Sequence, residues 1–261
     1  MAQALLEPWI EDHLVVPGGI RAVVFTEASR ARWADATLAG HSLQVTTDPA
    51  PAWASEVVLL AVKPQQLEAA ARYAAGSTAV ATASPQLLIS VLAGVPLERL
   101  QRLFPTRICV RAVVNTPALV RCGLTALAWG QAPPTAARQW VEQLFRRVGE
   151  VWELPESQMD AFLALTASGP AFVALVVEAL ADGAVAAGLP RSLALPLAQS
   201  TLAGTVALLK GKDLHPGQLK DRVSSPAGTT IAGLRQLERS GLRSALLEAV
   251  LAAAERSRDL A

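Results

Sequence analysis

The chain predicts an α/β protein, a doubly wound parallel sheet followed by an all-helical domain. Three observations carry this. Short β-branched runs alternate with helical stretches as far as Glu153, the strand pattern vanishes from Pro155 onward, and the residues are 52% hydrophobic against 17% charged. Alternation of strand and helix marks a parallel sheet covered by helices, because parallel neighbours need a crossover between them. The apolar excess fits a tightly packed globule or an obligate oligomer and excludes a disordered chain.

The predicted strands are Arg21–Phe25, Glu56–Val62, Leu87–Leu92, Arg107–Ala112, Leu124–Trp129 and Glu150–Glu153. Between them Ser29–Ala39, Pro64–Tyr73, Leu97–Leu103 and Thr135–Val148 read as helices, several opened by Pro, Ser or Thr as helix starts prefer. Sheets of this kind bind ligands outside the carboxyl ends of their strands, so the residues after each strand matter most. The second domain is expected to run Ser157–Thr166, Pro170–Ala187, Arg191–Leu209, Pro216–Val223, Thr229–Arg239 and Leu242–Ser257, all helical. The division therefore falls between residues 1–154 and 155–261. Pro170–Ala187 is apolar nearly all round and must be covered on every side, which points to a partner subunit.

At 261 residues the chain is long enough to bury a sizeable core. Lys+Arg 23 against Asp+Glu 22 gives a net charge of +1, which offers no field for nucleic acid or an anionic membrane. Cys109 and Cys122 read as free thiols, and no Cys/His spacing resembles a metal site. Mean hydropathy is +0.34, yet Glu178 and Asp182 interrupt the most apolar run and would be costly in hydrocarbon. Met1 to Leu14 carries Glu7, Glu11 and Asp12, unlike a signal peptide, so a cytoplasmic location is expected. His13, His41 and His215 are dispersed and none is read as catalytic; the tryptophans are read as packing.

The densest local signal is Ser224-Ser225-Pro226-Ala227-Gly228-Thr229-Thr230, directly before an amphipathic helix with Ile231, Leu234 and Leu237 on one side. A helix N-terminus presents unpaired N–H groups, and the hydroxyls of Ser225, Thr229 and Thr230 add donors for a carboxylate. An N-cap with surplus hydroxyls is the competing structural account.

Together with the preceding His215-Pro216-Gly217-Gln218-Leu219-Lys220-Asp221-Arg222-Val223, this stretch resembles the signature of the pyrroline-5-carboxylate reductases. Further matches occur in the family's order: Leu60-Ala61-Val62-Lys63-Pro64-Gln65, Ser90-Val91-Leu92-Ala93-Gly94, Asn115-Thr116-Pro117, Ala167-Ser168-Gly169-Pro170-Ala171-Phe172, and Ala181-Asp182-Gly183 through Gly188-Leu189-Pro190. The resemblance implies a Rossmann-like nucleotide domain over residues 1–154 and a helical substrate-binding and dimerisation domain over 155–261. It implies NAD(P)H-dependent reduction of 1-pyrroline-5-carboxylate to L-proline by a homodimer or higher homo-oligomer. Ser225, Gly228, Thr229 and Thr230 would hold the substrate, and Thr230 would give a proton to the ring nitrogen. Asp213 and Ser168 are secondary substrate candidates. Glu27, Ala61, Val62, Lys63, Pro64, Ala93 and Asn115 are the cofactor candidates, along with Met1, which falls just after the family's glycines.

The chain departs from this pattern at its start. The expected first strand and glycine-rich turn are missing from the sequence, by about ten residues judged against the lengths such a unit needs. Either Met1 is an internal methionine of a longer protein, the expectation adopted here, or the chain is a shortened form with a damaged cofactor site. Glu27 suits a ribose diol and NAD, whereas Arg30 and Arg32 suit a 2′-phosphate; NADPH is expected over NADH. Asp48 stands where relatives carry an asparagine near the nucleotide. The rival functions are another imine reductase or a hydroxyacid dehydrogenase, or an inactive truncated relative that dimerises. Lys210, Lys212 and Lys220 lie off the long apolar helix, which disfavours the dehydrogenase chemistry.

Overall fold

The computed structural model describes residues 1–34, 37–76 and 86–260. These form two compact units, Met1–Ala167 with Ala254–Ala261, and Ser168–Ala253.

In chain order the first unit contains α1 (Ala2–Glu11), β1 (Arg21–Val23), α2 (Glu27–Ala34), β2 (Thr37–Leu38), β3 (His41–Ser42), β4 (Gln44–Thr46), α3 (Ala50–Trp53) and β5 (Val57–Leu60). There follow α4 (Leu67–Gly76), β6 (Leu87–Ser90), α5 (Leu97–Leu103), β7 (Ile108–Val114), β8 (Gly123–Trp129), α6 (Thr135–Arg146), β9 (Gly149–Glu153) and α7 (Met159–Thr166). Five strands form one sheet in the order β5-β6-β7-β8-β9, while β1 and β4 pair in parallel by themselves. The sheet is mostly parallel, as expected, with one antiparallel pair: β7 and β8 run in opposite directions, Val114 opposite Thr125 and Val110 opposite Trp129. Only the short turn Thr116–Val120 joins them, too few residues for a crossover helix.

Helices cover both faces of the sheet, and alternation along each strand sorts the side chains between them. Leu88, Cys109, Val113 and Ala126 pack with Trp53 of α3, Leu67 of α4 and Leu97 and Leu100 of α5. Leu87, Ile89, Val110 and Leu127 point the other way, to Leu5 and Trp9 of α1 and Val141, Leu144 and Phe145 of α6. Those three α6 positions recur at helical spacing and make one buried stripe. Trp9 meets Phe145 edge to face at 5.6 Å and its indole N–H donates to the Leu144 carbonyl at 2.6 Å, tying α1 down.

The expected helix Ser29–Ala39 stops at Ala34; residues 35 and 36 lie outside the described residues, and Thr37–Leu38 is a strand. The cause is a two-residue turn: Ala39 and Gly40 both have positive φ, which joins β2 to β3 as a hairpin. The division at 154/155 also differs from the compact units, which part after Ala167. Met159 is fully buried in the sheet's core, with Phe162 and Leu163 packed beside it, so α7 belongs with the sheet.

The second unit holds α8 (Gly169–Ala186), α9 (Arg191–Gly211), α10 (Pro216–Arg222), α11 (Thr229–Arg239) and most of α12 (Leu242–Asp259). Helices α8 and α9 pack through the small residues Ala181, Ala194 and Ala198. The expected cover of α8 on every side is not supplied by this chain: Ala181 is its one buried residue among those described, and Val173 and Leu175 are 54% and 66% exposed. Pairing with α9 alone covers one stripe of a helix that is apolar all round. By length and composition, Glu156–Ala186 and Arg191–Gly211 would also suffice to cross a membrane.

Two glycines set the approach of β8 to β9. Gly149 has φ +148°, and a Cβ there would meet the Gly123 carbonyl oxygen at 1.9 Å. Gly149→Ala is therefore expected to cost more than the roughly 1–3 kcal/mol of ordinary overpacking, read as a fall in the urea midpoint or as loss of soluble protein.

Candidate active site

Strands β5, β6 and β7 run parallel, so their carboxyl ends share one edge of the sheet. Ala61, Val62, Lys63 and Pro64 follow β5, Ala93 and Gly94 follow β6, and Asn115 follows β7. Ala61 and Lys63 are exposed, Lys63 capping the short turn Pro64–Gln66 in extended conformation. Ala93 is exposed beside Gly94, whose φ of +66° disfavours any side chain. The structure thus brings these cofactor candidates to neighbouring strand ends.

Asn115 is different in kind. It is 5% exposed; its Nδ2 donates to the Thr166 carbonyl at 3.1 Å and its Oδ1 accepts from the Leu124 N–H at 2.7 Å. Both ends of the amide are engaged within the unit, so Asn115 shapes the β7 terminus and holds the end of α7.

Glu27 opens α2, just past β1. Its Oε2 accepts from Arg30 Nε at 2.7 Å and its Oε1 from the Thr47 hydroxyl at 2.9 Å. Arg32 donates to Ser29 Oγ at 3.1 Å. Asp48 accepts from the Ala50 N–H at 3.0 Å and so opens α3. Met1 is the N-cap of α1, 48% exposed, and no side chain caps that helix.

In the second unit, Ser224–Gly228 form a tight loop before α11. Ser224 Oγ donates to the Lys220 carbonyl at 2.7 Å, anchoring the loop to α10, and the Gly228 N–H donates to the Ser225 carbonyl at 3.1 Å. A Cβ on Gly228 would meet Ser225 Oγ at 2.3 Å, so glycine lets that hydroxyl sit against the helix start. Ala227 takes a positive φ of +58° to turn the chain. No side chain caps α11, which leaves the N–H groups of its first turn, where Thr229 and Thr230 stand, without an intrahelical partner.

The remaining candidates fall elsewhere along the chain. Ser168 occupies the N-cap position of α8 as expected, but its side chain makes no capping bond because its backbone is already helical, φ −84° and ψ −30°. Asp213 is exposed and left-handed, φ +47°, in the turn after α9. His215 caps α10: its Nδ1 accepts from the Gly217 N–H while Gln218 Oε1 accepts from the His215 N–H. That is a structural use. Among the described residues no group of His, Cys, Asp or Glu could hold a metal ion.

Sequence reasoning missed a buried ionic network. Arg111, 3% exposed in the middle of β7, donates to Glu156 Oε1 at 2.5 Å and lies 3.8 Å from Asp160 Oδ1. Glu156 Oε1 also accepts from the Leu97 N–H at the start of α5, and Asp160 accepts from Ser257 of α12 at 2.8 Å. The available signal was a lone arginine inside an otherwise apolar strand, a charge that cannot be buried unpaired. Arg107 is used similarly, donating to the Trp53 carbonyl at 2.6 Å.

Cys109 is buried in the sheet core, and burial pushes its thiol up to about 11 against a smaller opposing pull from Arg107. The neutral thiol is unreactive, whereas Cys122 is exposed. Iodoacetamide at mildly alkaline pH is expected to label Cys122 alone in native protein and both cysteines in urea, read by mass spectrometry.

Comparison with known proteins agrees with this layout. Residues 156–260 match the family described as pyrroline-5-carboxylate reductase dimerisation. The pyrroline-5-carboxylate reductase of Synechocystis is 44% identical over 261 residues, all of this chain and 94% of the relative. That of Glycine max is 38% identical over 269 aligned positions, all of this chain and 92% of the relative. The solved structure of the Coxiella burnetii pyrroline-5-carboxylate reductase superposes with TM-score 0.85 at 28% identity, covering 100% of this chain and 95% of that one. The Plasmodium falciparum pyrroline carboxylate reductase, solved with NADP bound, gives 0.83 at 26% identity over 98% and 93% of the two chains. The strand-end residues, the uncapped α11 loop and full-length similarity at this level converge on one assignment: the chain belongs to the pyrroline-5-carboxylate reductase family.

Proposed function

We propose that this chain reduces 1-pyrroline-5-carboxylate to L-proline with a reduced nicotinamide dinucleotide. The observation that carries this is the start of α11, where no side chain caps the backbone N–H groups, Ser225 Oγ sits against Gly228, and Thr229 and Thr230 are the first helical residues. Such an arrangement binds a small carboxylate without a cationic side chain.

The strand ends fit a dinucleotide. Gly94 adopts a backbone that excludes side chains, Ala61 and Ala93 present only methyl groups, and α1 begins without a side-chain cap. A glycine turn ahead of α1 is not among the 261 residues. Met1, Glu27, Ala61, Val62, Lys63, Pro64 and Ala93 would hold the group, with Asn115 shaping the edge. When bound, the reduced nicotinamide supplies hydride to the imine carbon.

The protein's own part is orientation and a proton. The N–H groups of α11 with Ser225 and Thr229 fix the acid, and Thr230 Oγ1 donates toward the ring nitrogen. That hydroxyl regains its proton from solvent as the imine becomes a secondary amine. A free alcohol is a poor acid, so the effect comes from positioning in a water-poor site. Ser168 and Asp213 serve as outlying contacts to the bound acid. The exposed apolar surfaces of α8 and α9 are covered by a second copy, a reading supported by the dimerisation family matched over 156–260. Free Cys109 and Cys122 accord with a reducing cytoplasm.

Proline formation by Thr230→Ala is expected to fall by about 10²–10⁴ in kcat, the usual worth of a positioned proton donor, with circular dichroism unchanged. Gly228→Ala, whose Cβ would displace Ser225 Oγ, is expected chiefly to raise KM for the imine. Unaltered steady-state constants in both variants would remove the loop from the reaction.

NADPH is the proposed cofactor over NADH. Arg30 already neutralises Glu27 at the start of α2, and Arg32 lies further along the same helix, so a 2′-phosphate meets positive charge there. Arg30→Ala is expected to weaken NADPH binding by roughly tenfold or more, the worth of a lost charged hydrogen bond, and to leave NADH binding unchanged or improved. Calorimetry with each dinucleotide checks it.

A further inference from the structure

The carboxyl end of β6 leads into a turn whose middle residue has no side chain to hold it. Leu92 before the turn and Val95 after it are buried in the sheet core, while Ala93 is exposed. Gly94 between them is left-handed, φ +66°. Glycine adopts positive and negative φ with nearly equal ease, so the Ala93–Gly94 peptide is free to turn over unless a contact from outside the turn holds it.

That contact comes from the residue that follows α12. A Cβ on Gly94 would meet Leu260 Cβ at 3.2 Å and the Leu260 carbonyl oxygen at 3.4 Å, so Leu260 lies directly against the glycine. The Leu260 N–H donates to the Ser257 carbonyl at 3.3 Å, which ties it to the last turn of the helix. Leu260 is itself exposed, so burial of its side chain is not what keeps it in place.

A chain of polar contacts does. Ser257 Oγ donates to Asp160 Oδ1 at 2.8 Å, and that oxygen stands 3.8 Å from Arg111 Nη2. Arg111 Nη1 donates to Glu156 Oε1 at 2.5 Å, and the same oxygen accepts from the Leu97 N–H at 3.0 Å. Leu97 is three residues beyond Gly94 and Ser257 three before Leu260, so the circuit starts and finishes at one turn. Arg111 also flanks that turn through the sheet, opposite Ser90 in the β6–β7 register. Ser257 is buried although Arg256, Arg258 and Asp259 around it are exposed. A hydroxyl sunk onto a carboxylate at an otherwise exposed helix end fixes that end, because hydrogen bonds to an ionised acceptor are among the stronger ones.

We propose that Ser257 and Leu260 are positioning residues for the reaction. Anchored through Asp160 and Arg111, the last turn of α12 holds Gly94 left-handed and so fixes the Ala93–Gly94 peptide on the edge that receives the nicotinamide dinucleotide. The inference rests on the dinucleotide reading of that edge given above. Both residues work through Gly94 and not on the reacting atoms, so loss of the anchor weakens dinucleotide binding and leaves the grip of α11 on the imine acid unaltered.

Hydrogen exchange in the dinucleotide-free full chain, read by NMR, tests the anchor first. In Ser257→Ala the amides of Gly94, Val95 and Leu97 are expected to exchange roughly tenfold faster, about the worth of one hydrogen bond to a charged group, while amides of Ala126–Ala128 in β8 keep their parent rates. Leu260→Gly leaves the polar chain intact, is expected to act in the same direction at Gly94 and Val95, and carries the test should Ser257→Ala prove insoluble. Calorimetry with NADPH follows. Its Kd is expected to rise about threefold or more in both variants, because the turn then spends only part of its time in the binding form. The KM for the dinucleotide rises with it and the KM for the imine stays at the parent value. Unchanged exchange around Gly94 overturns the proposal, and so does exchange that quickens equally in β8, which would make the anchor a general stabiliser. A parent chain that binds no dinucleotide defeats the reading of the edge itself, whereas parent and variants that bind NADPH alike defeat this inference alone.

Discussion

A parallel sheet sealed between two helical layers is out of reach of water, so each of its backbone N–H and C=O groups needs a partner within the protein. Leaving one buried and unpaired costs about 1–3 kcal/mol. The inner strands β6, β7 and β8 meet that demand by pairing on both sides, and alternation of Leu87, Leu88 and Ile89 delivers side chains to both cores. Every residue on the carboxyl edge inherits its position from this ladder. Ala61, Ala93 and Asn115 are far apart in sequence and adjacent in the fold because three strands are held in parallel register.

Much of this was legible in the sequence, for physical reasons that differ by element. The interior strands were plain because burial on both faces makes near-continuous apolar runs, as in Leu87–Ser90 and Ile108–Val114. The helices of the second unit were plain because length and composition leave no other structure. What stayed hidden was short or compensated. Strand β4 is three residues, Gln-Val-Thr, below any periodic signal, and the β2–β3 hairpin depends on a turn placing Ala39 at positive φ. The antiparallel direction of β7 and β8 also stayed hidden, because a near-continuous apolar run carries no mark of strand direction.

The same distinction runs through the candidate site. The α11 loop could be located from residue order alone, since its serines, glycine and threonines are contiguous. Its geometry could not. That Gly228 is closed against Ser225 Oγ while Ser168 makes no capping bond follows from backbone angles that residue identity does not encode. Asn115 shows the converse: a polar residue at a strand end looks ligand-directed, yet both its hydrogen bonds go inward. Arg111 shows why buried charges escape a linear reading, for its partners stand 45 and 49 residues away.

The link from Asp160 to Ser257 places the last turns of α12 in the same compact unit as the sheet. That unit is therefore discontinuous, its first stretch closed by residues that leave the ribosome nearly ninety positions later than Ala167. During synthesis the sheet and its covering helices emerge long before Ser257 can reach Asp160, so the nucleotide unit must wait, partly finished, for the end of the chain. Assembly of the two units is thereby made interdependent in time, and a ribosome that stalls within α11 leaves an incomplete sheet domain as well as an incomplete helical one.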